Sequence, residues 1–207
     1  MSRLKLVVLI FLLSYAKTSA SVAEFTENPA FKELNAFLES IKTAKGEFEQ
    51  TFQNKKARGN FAIEMPGKFK LEYYGNVIPI SMVVNNEVFI YYDRELDQKT
   101  QLSTPKTIAS LFLRKNLSLL DSDIKVLSFK HQMEGYIVEF EKKSSPKEGK
   151  FVAYLRKNPD ITLEKLEIIS PEGINTLKFS NIVLNSSLPK GTFMIKDQKK
   201  IDAKINY

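Results

Sequence analysis

The chain has no cysteine and no tryptophan, and one histidine, His131, among its 207 residues. Without cysteine there is no disulfide, no thiolate metal site, no cysteine nucleophile and no thiol to carry a lipid. A single histidine excludes a multi-histidine metal site. Glycine and proline are sparse, at 8 each, which excludes collagen-like and low-complexity chains. No P-loop, GxGxxG, EF-hand or zinc-protease signature occurs. A serine triad would have to use His131, which sits in a strand-patterned run with no nucleophile elbow nearby. Glu139 and Glu141 share one strand face about 7 Å apart, but Lys142 and Lys143 follow them, so a solvated face is the better reading than a glycosidase pair. The formal net charge of +7 is spread through turns, as at Lys55-Lys56, Lys142-Lys143 and Lys199-Lys200. No arginine-rich stripe with interleaved aromatics points to nucleic acid, and none is expected as a partner.

One apolar run stands out. Arg3 and Lys5 precede Leu6 to Leu13 (LVVLIFLL), and Thr18-Ser19-Ala20 follows. A charged start, a short apolar stretch and small residues at the cleavage positions make a secretory signal peptide. The run is too short for a membrane anchor, which needs about 20 apolar residues. We therefore expect residues 1–20 to be a signal peptide cleaved near Ala20, and residues 21–207 to be one domain. Cleavage removes three cations and no acid, lowering the formal charge from +7 to +4. An exported chain without cysteine cannot be acylated on cysteine, so a soluble exported protein is expected, and a monomer.

Hydrophobic periodicity then gives the fold class. Asn28-Pro29 reads as an N-cap followed by proline at the first helical position. Phe31, Leu34, Phe37, Leu38 and Ile41 at helical spacing predict an amphipathic helix over 29–44, ended by Gly46. The period next switches to two. Strand patterns fall at 48–52, 61–65, 69–74, 78–84, 88–92, up to 102, 124–131, 135–142, 151–156, 162–170 and 175–184, with a short last one at 192–196. Asn85-Asn86 suits a tight hairpin because asparagine tolerates positive φ. Thr104-Pro105 starts a second helix with Ile108, Leu111 and Phe112 on one face. About eleven short strands read as a mainly β fold: a curved antiparallel sheet, an unclosed half-barrel, with the two helices covering its concave face.

The aromatics are the remaining feature. Phe31, Phe37, Phe48, Phe52, Phe61, Phe69, Phe89 and Phe112 crowd one stretch of the chain. They could fill a core, or they could line a cavity for a hydrophobic ligand. Alternation groups Phe48, Phe61, Ile63, Phe69, Leu71, Met82 and Phe89 with the helix residues Ile108, Leu111 and Phe112 as candidate lining and lid underside.

At these residues the chain resembles the LolA family of periplasmic outer-membrane lipoprotein carriers. Phe48-Glu49-Gln50 is similar to the family's Phe-x-Gln strand. GNFAIEMPGKFKLEYYG, from Gly59 to Gly75, is similar to its segment with Arg-Pro-x-x-Phe. VVNNEVFIYYDRELDQKTQL, from Val83 to Leu102, and the Thr104-Pro105 helix follow in the family's order. The likeness is clearest over residues 31–113, and beyond that rests on strands with Phe179 and Phe193 before a polar tail. The resemblance implies a half-barrel with lid helices over an apolar cavity. It implies a periplasmic, non-enzymatic chaperone without cofactor. Such a chaperone takes acylated lipoproteins from an inner-membrane ABC-type releasing complex to an outer-membrane acceptor lipoprotein, and absence of cysteine puts this chain on the carrier side. The family's functionally sensitive Phe is retained as Phe69. Its lid-binding Arg falls on Met65, which cannot donate hydrogen bonds, so either another residue latches the lid, with Arg58 and Arg114 the nearest candidates by type, or the closed state rests on apolar packing. A LolA-fold lipid- or glycolipid-binding protein and a lipid-independent protein-binding sensor domain are the alternatives; a secreted hydrolase using His131 is the remotest.

Overall fold

The structure, a computed structural model, describes residues 25–74, 80–86, 88–103, 111 and 114–195. The expected signal peptide and its cleavage site lie outside these residues. So does the expected second helix, including Ile108 and Phe112, apart from Leu111.

Helix α1 spans Pro29–Ser40. The Asn28 side chain accepts a hydrogen bond from the Ala30 N–H at 2.9 Å, and Pro29 supplies the first helical φ. The helix ends four residues earlier than the expected 44. Ile41 is already extended and Thr43 begins the first strand, so Gly46 does not terminate the helix. Gly46 lies inside that strand at a register shift between Lys45 and Glu47, where an added Cβ would sit 2.8 Å from the Phe61 ring and 2.9 Å from the Ser180 carbonyl oxygen. Close cross-strand approach, not helix termination, is what requires glycine there.

Eleven strands follow: β1 (Thr43–Phe52), β2 (Lys55–Glu64), β3 (Lys68–Tyr73), β4 (Ile80–Asn85), β5 (Val88–Asp93), β6 (Gln98–Ser103), β7 (Ile124–Gln132), β8 (Gly135–Lys142), β9 (Lys150–Lys157), β10 (Ile161–Ser170) and β11 (Gly173–Leu184). The expected strand at 192–196 is not formed at 192–195. Hydrogen bonds from Thr192 N–H to Pro189 and from Met194 N–H to Gly191 make consecutive turns there, and Gly191 takes a positive φ of 81°. The β1–β2 turn uses Gln53 and Asn54, both at positive φ, and the β4–β5 turn has Asn86 at φ 56°. Positive φ at such positions matches the twist of a two-residue hairpin.

All strands join one antiparallel sheet in the order β6-β5-β4-β3-β2-β1-β11-β10-β9-β8-β7. Among the described residues β6 and β7 do not pair with each other, so the sheet is an unclosed half-barrel. The register fixes how the chain returns. Ser103 ends β6 at the end of the sheet that carries Ala44 and Leu184, whereas Ile124 begins β7 at the opposite end, level with Lys142. The β6–β7 crossover therefore links opposite edges and opposite ends of the sheet.

Candidate functional site: one sheet face and its cover

Residues directly opposite in an antiparallel ladder share a face. Phe61, Leu71, Met82 and Tyr91 form one such row across β2 to β5, and Ile63, Phe69, Val84, Phe89 and Leu102 form the next. Phe48 lies opposite Gly59 and Phe179, which places it on the same face. Seven sequence-predicted candidates thus stand together on one face: Phe48, Phe61, Ile63, Phe69, Leu71, Met82 and Phe89. On the other half of the sheet the same face carries Val126, Val138, Ala153 and Leu166. Helix α1 packs on this inner face. Its Phe37 and Leu38 touch both apolar clusters, one built on β7 to β10 and the other on β1 to β4 and β11. Phe31 and Leu34 are sealed from water, and each contributes about 1.5–3 kcal/mol of burial. Leu111, the described residue of the predicted second helix, packs against the first cluster.

Aromatic rings meet edge-on across the face. Phe48 and Tyr73 are 5.2 Å apart, Phe61 and Phe179 5.4 Å, and Phe31 and Phe129 5.2 Å. Gly59 makes the first contact possible, because an added Cβ would lie 2.2 Å from the Glu72 carbonyl oxygen and 2.8 Å from the Phe48 ring.

Polar contacts hold α1 at both ends and in the middle. The Tyr136 hydroxyl and the Lys157 ammonium donate to Glu33, 2.7 Å away in the case of Tyr136. Lys157 first, then Tyr136, holds the Glu33 carboxyl below its ordinary range. Asn35, buried in mid-helix, accepts from the Leu119 N–H of the crossover at 2.8 Å and donates to Glu39 at 2.9 Å. Ser118 donates to the same Glu39 oxygen at 2.7 Å. At the C-terminal end Asn185 donates to the Ser40 carbonyl and accepts from the Lys42 N–H at 2.7 Å.

Met65 is buried just beyond β2, and its N–H donates to the Lys42 carbonyl at 2.8 Å. Among the described residues, neither arginine named from the sequence pairs with α1. Arg58 points to the outer face, where it pairs with Glu49 at 2.9 Å. Arg114 belongs to the crossover and pairs with Asp121 and Asp123 at 3.3 and 3.0 Å. Burial pushes the Asp123 carboxyl up, but Ser144 hydrogen bonds and Arg114 outweigh it and leave it below its ordinary value. The polar link between helix and crossover runs instead through Asn35, Glu39 and Ser118. Sequence patterning missed these three because each is an ordinary polar residue; their partners lie 79 to 84 residues away.

His131 is exposed and stacks on Tyr136 at 5.2 Å, an edge position with no nucleophile hydrogen-bonded to it among the described residues. On the outer face, Ala62, Ser81, Val83 and Tyr92 are buried. Pro189 to Thr192 comes back over β2 and β3 there, leaving a cleft of about 280 Å³ lined by Asn60, Ala62, Lys70 and Glu72.

Comparison with known proteins places this arrangement. The family model described as outer membrane lipoprotein carrier protein LolA matches residues 39–196. The outer-membrane lipoprotein carrier protein of Chromobacterium violaceum is 27% identical over 203 residues, covering 92% of this chain and 95% of that protein. A crystal structure of an uncharacterised conserved protein from Thermus thermophilus shares the fold, with a TM-score of 0.52 at 10% identity over 81% of this chain and 94% of its own.

Proposed function

The chain belongs to the LolA family of outer-membrane lipoprotein carrier proteins, and from that premise we propose that it is a periplasmic chaperone that binds the acyl chains of lipoproteins on the sheet face beneath α1. It receives them from an inner-membrane ABC-type releasing complex and passes them to an outer-membrane acceptor lipoprotein. The observation that carries the reading is the shared face. Phe48, Phe61, Ile63, Phe69, Leu71, Met82 and Phe89 are spread over 42 residues of sequence, yet the register sets them on one face, and five of them, Phe48, Phe61, Ile63, Leu71 and Met82, share an apolar cluster with Phe37 and Leu38 of α1.

The physics of the handover follows from that cover. Each acyl CH₂ withdrawn from water is worth about 0.8 kcal/mol. Three long chains in a permanently open apolar trough would be held too tightly to release. Here Phe31 and Leu34 already occupy the face, so an acyl chain has to displace α1, the crossover, or both. Binding is then weakened by the cost of opening, and release is favoured by reclosure. No ATP site is needed on the carrier itself.

The test is recovery of the mature protein from periplasm, with mass spectrometry of what co-purifies, followed by transfer to a purified acceptor lipoprotein. Bound triacylated lipoprotein that moves to the acceptor supports the reading. Bound glycolipid or free lipid without transfer would make the chain a lipid-binding member of the fold. A protein partner without acyl chains would make it a sensor domain.

A further inference from the structure

One row of the inner face carries a polar group without a partner. Across β7, β8, β9, β10, β11 and β1 the register aligns Val126, Phe140, Phe151, Ile168, Asn175 and Phe52 in a single row. Five of the six are hydrocarbon, and the row runs near the β1–β2 and β10–β11 turns. The sixth is the Asn175 amide, whose Oδ1 is closed to solvent and accepts no hydrogen bond among the described residues. Its two direct neighbours, Phe52 and Ile168, have no side-chain donor to offer. Gln50, about 7 Å away on the diagonal, accepts the hydroxyl proton of Tyr73.

A buried amide oxygen with no donor destabilises the protein that carries it. Leucine has nearly the same shape and would extend the apolar row without that penalty, as Leu177 does one row along. Asn175 is therefore costly to the empty protein, and its register position puts it on the face proposed to take acyl chains.

We infer that Asn175 is a specificity residue, accepting a hydrogen bond from a donor that sits beside the acyl carbonyl of a bound amphiphile. An amide N–H on an N-acyl group and a hydroxyl on a glyceride are the two groups of that chemistry. The inference rests on the acyl-binding reading above and adds to it a preference for donor-bearing acyl groups over bare esters. Loss of one such bond, with the oxygen left unpaired, corresponds to about tenfold in affinity.

The experiment measures affinity of the mature protein for three probes of equal chain length: N-tetradecanoylglycine methylamide, 1-monotetradecanoylglycerol and methyl tetradecanoate. The wild type should bind at least one donor-bearing probe about tenfold more tightly than the methyl ester, and which one identifies the source of the donor. Asn175→Leu should bind the methyl ester as well as the wild type does, bring the donor preference close to parity and raise the melting temperature of the empty protein. Asn175→Ala, which removes the oxygen without adding bulk, should show the same loss of preference. A preference that survives both substitutions, or a wild type without one, overturns the inference and leaves the carrier reading standing. A wild type that binds none of the three probes overturns both.

Discussion

Asn35→Leu is the sharpest perturbation of the cover. Asn35 is 6% exposed, and its Oδ1 accepts from the N–H of Leu119, itself 6% exposed. Ser118 has a single hydroxyl proton, which goes to the charged Glu39 oxygen at 2.7 Å, so Asn35 is the group that satisfies the crossover backbone. Leucine fills the same volume and leaves the Leu119 N–H buried and unpaired, a penalty of about 1–3 kcal/mol. At about 2 kcal/mol the open form should become roughly thirtyfold more populated. The direct readout is hydrogen exchange at the Leu119 amide, which should accelerate by about that factor while amides in β1 and β11 keep their protection. Uptake of an apolar dye by the empty protein should quicken in parallel. Asn35→Asp keeps the acceptor for Leu119 but sets a second carboxylate beside Glu39, so its dye uptake should be faster than that of the wild type. Unchanged exchange at Leu119 together with unchanged dye uptake in Asn35→Leu would refute the argument that this contact holds the cover down.

Three further expectations concern the same face and helix. Gly59→Ala drives a Cβ into the Glu72 carbonyl and the Phe48 ring; it should destabilise the fold by at least about 1–3 kcal/mol, and a chemical denaturation midpoint equal to wild type would contradict the close approach. Glu33 is held below its ordinary value of 4.5, so its contribution is fully present above that pH and is lost as pH falls through the lower folded value. Melting temperatures of wild type and Glu33→Gln should thus differ at neutral pH and converge in acid, and a constant difference down to pH 3 would show that the Lys157 and Tyr136 contacts do not act through charge. Met65→Arg places a donor where the sequence resemblance puts the family's arginine, and should slow apolar dye uptake if carbonyls of the cover lie within reach. Equal rates would show that residue 65 does not control opening in this chain.

Local sequence chemistry determined a good deal of this protein. Asn28-Pro29 started the helix because a side-chain acceptor and a fixed φ suit that position in any fold, and Asn86 turned its hairpin for an equally local reason. Alternation sorted each strand into two faces, which is why Phe61 and Ile63, or Phe69 and Leu71, could be grouped within their strands. What alternation cannot supply is sign or partnership. Nothing in a two-residue period says which face α1 covers, or that β1 pairs with β11 and so places Phe48 opposite Phe179. The outer face misleads for the same reason, since Val83 and Tyr92 are as deeply buried as any inner residue. Helix length and the role of Gly46 were also decided by packing. Strand pairing takes Thr43 onward from the helix, and the glycine is needed where Phe61 and Ser180 crowd the backbone. Asn35, Glu39 and Ser118 acquired their role only when the crossover was brought onto the helix, and Asn175 stands out only because the register sets five hydrocarbon side chains in line with it. Local propensity acts over a few residues, whereas these contacts depend on chain segments separated by up to about a hundred and forty residues meeting on one curved sheet.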